Sequence, residues 1–279
     1  MKREYGLCFW TFGNLSFEQK CRLASEIGVD GAEVEGDLSA DPKRLAQVLA
    51  EHRLKVLSVT PENVDLSSAV EEVRSAATAY FLDLLDWAEE LGAPRICLHG
   101  DVGKVRGSGD EKEDWKLLVK SAQHILKKAE SLHIQVVFEV LNRYENYQVV
   151  TGEEALRLIR EVGSPKLDVL LDSYHMNIEE PDPIKAIKTA GEKLGVYHIA
   201  DSNRQAIGNG HANLKEQLYA LDEIGYEGPI IMEMCAPGPD PFNPIKPGNC
   251  LGALTGYYKS SIETLKSWEQ THKEITKHP

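Results

Sequence analysis

The stretch Gln135-Val136-Val137-Phe138-Glu139 is a short apolar run that ends on a carboxylate. Its apolar residues follow one another without alternating with polar ones, which is typical of a parallel strand buried on both faces. The runs Val169-Leu170-Leu171 and Ile230-Ile231-Met232 have the same character. The pattern therefore predicts a parallel sheet packed under helices.

Eight strand candidates of this kind are spread along the chain. They are Tyr5–Trp10, Gly31–Val34, Lys55–Val59, Arg95–His99, Gln135–Glu139, Leu167–Asp172, Val196–Ala200 and Pro229–Met234. Helix-start signals open the stretches between them, at Ser16, Ser68, Thr151, Asp182 and Asn213, and glycines close them, at Gly28, Gly92, Gly163, Gly195 and Gly225. Units of about 35 residues in a chain of 279 predict an α/β protein with one (β/α)₈ TIM barrel domain over residues 1–279.

A doubly wound open sheet is the alternative architecture. Such a sheet normally carries a glycine-rich nucleotide turn after its first strand. The chain reads Thr11-Phe12-Gly13-Asn14 at that place, without the glycine pattern. The barrel is therefore the first choice.

The composition excludes several classes of protein. Of 279 residues, 42% are apolar and 27% are charged, and 31 Lys and Arg against 44 Asp and Glu give a net charge of −13. An acidic chain is poorly suited to binding nucleic acid, and no apolar run reaches the roughly 18 residues that span a membrane. Five scattered cysteines without a C-x-x-C pair favour neither disulfides nor a zinc ribbon. We expect a cytoplasmic protein with a small-molecule ligand.

Four polar residues stand at the ends of four consecutive predicted strands: Glu139, Asp172, His198 and Glu233. In a closed barrel, neighbouring strand ends converge on one mouth. Taken singly, each residue could be a helix cap or a structural histidine. Together, three carboxylates would lose hydration and repel one another, at several kcal/mol each, unless a cation lay between them. Three carboxylates and one imidazole suit Mn²⁺, Mg²⁺ or Co²⁺ better than structural Zn²⁺.

Four segments around these residues carry specific motifs. They are 138–145 (FEVLNRYE), 171–180 (LDSYHMNIEE), 198–204 (HIADSNR) and 231–233 (IME). These segments resemble the site motifs of the D-tagatose 3-epimerase and D-psicose 3-epimerase family, which belongs to the xylose-isomerase-like barrels of sugar isomerases and epimerases. The resemblance is strong from about residue 135 to 235 and weak elsewhere.

The resemblance implies a role for each site residue. The metal, Mn²⁺ first, would be bound by Glu139, Asp172, His198 and Glu233, of which Glu139 and Glu233 would also be the acid/base pair. The oxygens at one end of an open-chain ketose would be held by Glu145, His175 and Arg204. Removing a proton beside a ketone gives an enediolate that a metal stabilises, and carboxylates on opposite faces then invert the carbon. The expected activity is ketose C3 epimerisation or aldose–ketose isomerisation by a homo-oligomer, a dimer or tetramer.

Other functions stay open at this level. Lys246, Lys104 and Arg106 lie in two long loops and could receive the phosphate of a ketose phosphate. An inosose-dehydratase-like lyase could use the same ligands. An abasic-site endonuclease would need more metal-binding His and a basic surface. A sugar- or metal-binding module without activity would need no acid/base pair.

The chain also departs from the family pattern. Characterised members tend to have a Trp after the glycine-rich turn, and residues 208–214 (GNGHANL) have none. Substrate preference therefore does not carry over. Glu33 and His99 end two further predicted strands at the same mouth, and Trp10 with Phe12 could form an apolar wall for the sugar.

Overall fold

A computed structural model describes residues 3–238 and 240–277 of the chain, with side chains up to residue 271. Its parallel strands are β1 Tyr5–Cys8, β2 Gly31–Glu35, β3 Lys55–Thr60, β4 Arg95–Leu98, β5 Gln135–Glu139, β6 Leu167–Asp172, β7 Leu194–Ile199 and β8 Ile230–Met232. Its helices are α1 Phe17–Ile27, α2 Pro42–Glu51, α3 Glu71–Leu91, α4 Glu111–Ala129, α5 Gly152–Val162, α6 Ser173–Glu179, α7 Pro183–Ala190, α8 Leu214–Glu223 and α9 Cys250–Lys277. Strands and helices alternate, which confirms the predicted TIM barrel.

The strands follow one another round a nearly closed ring, and β8 pairs with β1. Among the described strands, only the neighbours β3 and β4 lack a backbone ladder. Side chains join them instead: the Arg95 guanidinium donates to the Leu57 carbonyl at 2.6 Å. At the mouth, Asn63 donates to the Val102 carbonyl at 2.9 Å and accepts from the Val102 N–H at 2.6 Å.

The core has two parts. The larger one lies between the strands and the surrounding helices. The smaller one fills the barrel with one layer of side chains from seven strands: Cys8, Leu57, Cys97, Val137, Leu170, Val196 and Ile231. This apolar layer is the floor of the mouth.

Some predicted boundaries were wrong. β1 ends at Cys8 because residues 9–12 form a 3₁₀ turn, in which the Thr11 hydroxyl donates to the Cys8 carbonyl at 2.8 Å. Gly195 does not end a helix: it lies within β7, where an added Cβ would approach the Val137 side chain to 2.7 Å. β8 is shorter than predicted, with three residues.

The predicted helix starts were mostly right. Ser16 and Thr151 both form capping boxes, and Asp182 caps a helix that begins with proline. Ser68 accepts from the Val70 N–H and therefore turns the chain before α3 rather than capping it. Asn213 occupies the cap position of α8 without a side-chain cap bond. In the described part of the chain, no helix has the length and apolarity to cross a membrane.

Candidate active site

Glu139, Asp172, His198 and Glu233, the four predicted strand-end residues, have the same orientation relative to the barrel axis. Each comes two residues after an inward-facing member of the barrel floor: Val137 and Glu139, Leu170 and Asp172, Val196 and His198, Ile231 and Glu233. Because side chains alternate along a strand, residues two apart point the same way. The strands therefore direct all four polar side chains into the mouth, directly above the floor.

These four side chains meet there. One ligand atom from each of Glu139, Asp172, His198 and Glu233 lies within 4.8 Å of all the others, and all four residues are buried. The His198 Nδ1 atom is 3.6 Å from Glu139 Oε1 and 3.6 Å from Glu233 Oε2. The prediction that these residues come together is confirmed.

Glu33 completes the surroundings of His198 from β2. Its Oε2 atom is 3.3 Å from His198 Nε2, and its Oε1 atom accepts from the Thr60 hydroxyl at 2.8 Å. Burial opposes a charged imidazole, but Glu33 and Glu233 raise the pKa of His198 well above its usual range. Burial likewise opposes a charged Glu33, but His198 lowers the pKa of that carboxyl.

Four polar atoms in and beside this cluster have no hydrogen-bond partner among the described residues. They are Asp172 Oδ2, His198 Nδ1, His175 Nε2 and Arg204 Nε. Burial, followed by the charge of Glu233, raises the pKa of Asp172 well above its usual range. Unpartnered buried polar atoms are costly. Lone pairs from three carboxylates and one imidazole, converging on one point, have the donor chemistry of a divalent-cation site.

Asn142 fixes His175 and Glu145 together. The ring nitrogen Nδ1 of His175 accepts from the Asn142 backbone N–H at 3.1 Å and lies 2.8 Å from the Asn142 side-chain amide nitrogen. That amide also donates to Glu145 at 3.1 Å. Burial, then the charge of Arg204, lowers the pKa of His175 well below its usual range. A neutral ring that accepts at Nδ1 carries its hydrogen on Nε2, which is the unpartnered atom.

Arg204 is held by a strained turn after β7. Its backbone φ is +56°, a left-handed conformation that residues other than glycine rarely adopt. The Asp201 carboxylate organises this turn by accepting the backbone N–H groups of Ser202, Gly208 and Ala212. The Arg204 guanidinium then donates to Glu233 at 2.5 Å and lies 3.5 Å from Asp172.

Both oxygens of Glu233 are hydrogen-bonded. The Trp10 indole N–H donates to Oε1 at 2.8 Å, and Arg204 donates to Oε2. Burial favours the protonated acid, but Arg204 and His198 lower the pKa of Glu233 well below its usual range. Trp10 is therefore a hydrogen-bond donor in the site as well as the predicted wall, and its ring stacks on Phe242 with centroids 5.7 Å apart.

A cavity of about 340 Å³ opens above the cluster. Its walls include Glu139, Glu145, His175, Arg204 and Glu233, all predicted as site residues. The cations of the two long loops, Lys104, Arg106 and Lys246, are not among its described lining residues. Lys104 forms a salt bridge with Asp65 at 2.8 Å, and Lys246 donates to the Pro241 carbonyl at 2.9 Å.

Other motif residues have a structural role. Arg143 donates through two nitrogens to Glu179, and its backbone N–H donates to the same carboxylate at 2.8 Å. This pair ties the loop after β5 to α6, and so fixes the spacing of Glu145 and His175. Asn142 was not predicted as a site residue, and only its place in the motif 138–145 could have indicated it.

The comparisons with known proteins come from sequence and from structure. A family profile described as xylose isomerase-like TIM barrel matches residues 21–268. D-psicose 3-epimerase of Ruminiclostridium cellulolyticum is 37% identical over 175 residues, which cover 61% of this chain and 59% of that protein. Ketose 3-epimerase of Arthrobacter globiformis is 33% identical over 200 residues, which cover 70% and 68%. The chain therefore spans about three fifths of the first relative's length and about two thirds of the second's.

A solved structure agrees with this likeness. The crystal structure of D-psicose 3-epimerase with D-tagatose from Clostridium cellulolyticum H10 superimposes with a TM-score of 0.86 at 26% identity. The superposition covers 95% of this chain and 98% of the other. The barrel and the order of its strands are therefore those of a known enzyme architecture.

Proposed function

The chain belongs to the xylose isomerase-like TIM barrel family, and on that premise we propose that it is a divalent-metal-dependent ketose 3-epimerase. The observation that carries the proposal is the convergence of Glu139, Asp172, His198 and Glu233 within 4.8 Å at the barrel mouth. The relatives named as ketose and D-psicose 3-epimerases support the same reaction type.

The four converging residues fit a metal ion. Asp172 Oδ2 and His198 Nδ1 are buried without a partner among the described residues, as expected of ligand atoms. Three carboxylates and an imidazole suit Mn²⁺, Mg²⁺ or Co²⁺, and the family resemblance puts Mn²⁺ first among them. When bound, the ion would supply Lewis-acid stabilisation of negative charge on the sugar oxygens.

Glu139 and Glu233 are suited to move the proton. They come from β5 and β8, which are three places apart round the ring, and both line the cavity. One carboxylate removes the proton from the carbon beside the ketone, giving an enediolate. The other returns a proton to the opposite face, which inverts that carbon. Since Arg204 and His198 keep Glu233 ionised, it is available as a base.

Glu145, His175 and Arg204 are suited to orient the ketose. His175 lines the cavity, and the Nε2–H of its neutral ring lies 3.6 Å from Asp172 Oδ2 without forming a hydrogen bond there. Glu145 offers carboxylate oxygens, and the Arg204 fork offers parallel N–H donors. Together they would hold the hydroxyl and carbonyl oxygens at one end of the open chain.

A neutral sugar fits this cavity better than a sugar phosphate. Arg204 is the only cationic side chain, apart from histidine, among the described residues of its lining, and it is already paired with Glu233. Lys104 and Lys246 bind groups of the protein elsewhere. The proposed substrate is therefore an unphosphorylated ketose. The proposed enzyme is a homo-oligomer, as the resemblance implies, and is cytoplasmic, as the composition predicts.

Solvent-exchange NMR tests the proposal. The Mn²⁺-loaded protein is incubated in D₂O with a panel of free and phosphorylated ketoses. Deuterium at C3 together with the C3 epimer is the expected result. Exchange at C1 with an aldose product would make it an isomerase instead, and net loss of water from a polyol would make it a lyase. Absence of exchange with every ketose would contradict the proposal.

A further inference from the structure

A second cavity of about 430 Å³ adjoins the first on the side of Arg204. Glu145, Arg204 and Phe242 line both cavities, so the two cavities are neighbours separated by these side chains. The first cavity alone, about 340 Å³, is at the small end of the roughly 300–1,000 Å³ typical of ligand sites, which suits a single sugar ring or open chain. A monosaccharide bound in the first cavity would leave the second cavity empty.

The position of this second cavity relates it to one end of the sugar. In the proposed function, on which this inference rests, Glu145 and Arg204 hold the carbonyl end of the ketose. Those same two residues are the boundary with the second cavity. A group attached beyond the carbonyl, on the terminal hydroxyl, would therefore extend towards the second cavity.

The lining of the second cavity has the character of a carbohydrate subsite. Tyr174 and Gln205 present a hydroxyl and an amide, and neither side chain makes a hydrogen bond within the described part of the chain. Pro237, Pro241 and Phe242 add apolar rings to the lining. Apolar faces with a few free polar groups match a sugar ring, which has C–H faces and a hydroxyl edge.

The charges that line the second cavity favour a neutral substituent over an anionic one. Glu145 contributes a carboxylate, and Arg204 is the single cation among the described lining residues. The Arg204 guanidinium already donates to Glu233 at 2.5 Å and lies 3.9 Å from Glu145. Lys246, beside the cavity, donates to the carbonyl of the lining residue Pro241. A phosphate would thus meet a carboxylate, and both cations near it would already be engaged with groups of the protein.

We propose that this second cavity is a subsite for a neutral glycosyl substituent, so that the preferred substrate is a ketose glycosylated on its terminal hydroxyl beside the carbonyl. The reacting carbon and the proton transfers are those of the proposed function. The substituent adds contacts with Tyr174 and Gln205, which lie outside the proton-transferring cluster. Its effect is therefore on kcat/KM for the longer sugar.

The test compares two sugars that share the same ketose unit, D-fructose and 1-O-α-D-glucopyranosyl-D-fructose. Deuterium uptake at C3 is followed by NMR with the Mn²⁺-loaded protein, and D-fructose 1-phosphate serves as the anionic probe. We expect kcat/KM at least 10-fold higher for the glucosyl sugar than for D-fructose, and lower for the phosphate than for either. Equal or better use of D-fructose would overturn the subsite and leave the proposed function standing. Exchange with none of the three would overturn both.

Two variants localise the effect. Gln205→Trp fills the second cavity and should remove the preference for the glucosyl sugar, with D-fructose exchange within twofold of wild type. Tyr174→Phe keeps the ring that stacks on Arg204, at 4.6 Å, and removes only the hydroxyl. It should raise KM for the glucosyl sugar about fivefold and leave KM for D-fructose unchanged. Equal changes for both sugars in the folded variants would overturn the proposal.

Discussion

Glu33 and His198 form a buried pair in which the carboxylate Oε2 lies 3.3 Å from the ring Nε2. A carboxylate at this distance accepts the Nε2 hydrogen, so Nδ1 is the ring nitrogen that faces Glu139 and Glu233. Glu33 thereby orients the imidazole with Nδ1 towards the proposed metal position, where a bound metal would displace the Nδ1 proton. Partners of this kind are commonly needed for full metal affinity.

Glu33→Gln should weaken Mn²⁺ binding about 10- to 100-fold, because the amide can present its own N–H to the ring and release the fixed orientation. Isothermal titration of the metal-free protein measures the dissociation constant. Glu18→Gln is the control, since it breaks another Glu–His pair, with His52 at 2.7 Å, on the protein surface. An unchanged dissociation constant in Glu33→Gln would show that Glu33 has no orienting role.

Glu139→Gln and Glu233→Gln should each reduce epimerisation about 10²- to 10⁴-fold at saturating Mn²⁺. In each variant the remaining carboxylate still removes and returns a proton on its own face. We therefore expect C3 exchange without inversion, from one epimer in the first variant and from the other epimer in the second. NMR in D₂O measures both events, and exposed Glu227→Gln is the control. Near-normal epimerisation in either variant would exclude that residue as a base.

Arg204→Ala should raise KM for the sugar about 10- to 100-fold, because a charge-assisted hydrogen bond contributes about 1.5–3 kcal/mol. The bound metal should stay, as the guanidinium is not among the four converging ligands. Steady-state kinetics and metal analysis of the purified variant measure the two effects. Arg204→Gly separates the side chain from the strained backbone, since glycine accepts φ of +56° freely. Loss of metal in both variants would contradict this role.

Removal of the metal should lower the melting temperature, since the cluster then keeps unpartnered buried atoms. Adding Mn²⁺ back at 100 times its dissociation constant should stabilise the fold by about 2.7 kcal/mol. Differential scanning fluorimetry against Mn²⁺ concentration measures the shift. Asp172→Asn should abolish it, and a shift that persists in that variant would place the metal elsewhere.

Asp114 gives the fold an acid-sensitive contact away from the site. It accepts from the Ser108 N–H at 2.8 Å, the Ser108 hydroxyl at 2.6 Å and the Tyr147 hydroxyl at 2.6 Å. Burial opposes ionisation, but these bonds lower the pKa of Asp114 below its ordinary 3.8. The folded state therefore binds this proton less readily than the unfolded chain, and the stabilisation present above about pH 3.8 is lost as the pH falls towards the lower, folded-state pKa.

Asp114→Asn should accordingly destabilise the protein by about 2 kcal/mol at pH 6, and the difference from wild type should shrink near pH 3. Urea unfolding at a series of pH values measures the free energies. Tyr147→Phe removes one of the three bonds and should have a smaller effect. A difference that does not vary with pH would show that ionisation of Asp114 does not contribute.

The four converging residues were predictable because strand periodicity places them at the barrel mouth, whereas Glu145, His175 and Arg204 were predictable only from the family motifs. Glu139 follows Val137 by two residues, and the same spacing recurs on the next three strands, so one register places four side chains at one mouth. The carboxylate ends of buried apolar runs are visible in the sequence. Neither a ligand nor a long loop is needed to bring them together.

The supporting contacts were less predictable because they depend on tertiary geometry. The Trp10 N–H reaches Glu233 across 223 positions of sequence, and nothing local distinguishes it from an aromatic wall. The hydrogen on His175 Nε2 follows only from its contact with Asn142, 33 positions away. Ser68 resembles a helix cap in sequence, yet its hydroxyl accepts from Val70, so local spacing gave the wrong result there.

Because side chains rather than backbone hydrogen bonds join β3 and β4, the ring of paired strands is open between these two strands. Arg95 bridges the two strands within the ring, and Asn63 and Val102 bridge them at the rim of the mouth. Asn63 and Val102 also line the first cavity. On this side of the mouth, the distance between the strands therefore depends on two sets of side-chain hydrogen bonds instead of a backbone ladder. Substitution of Asn63 would therefore remove contacts at the rim of the mouth without removing any hydrogen bond between paired strands.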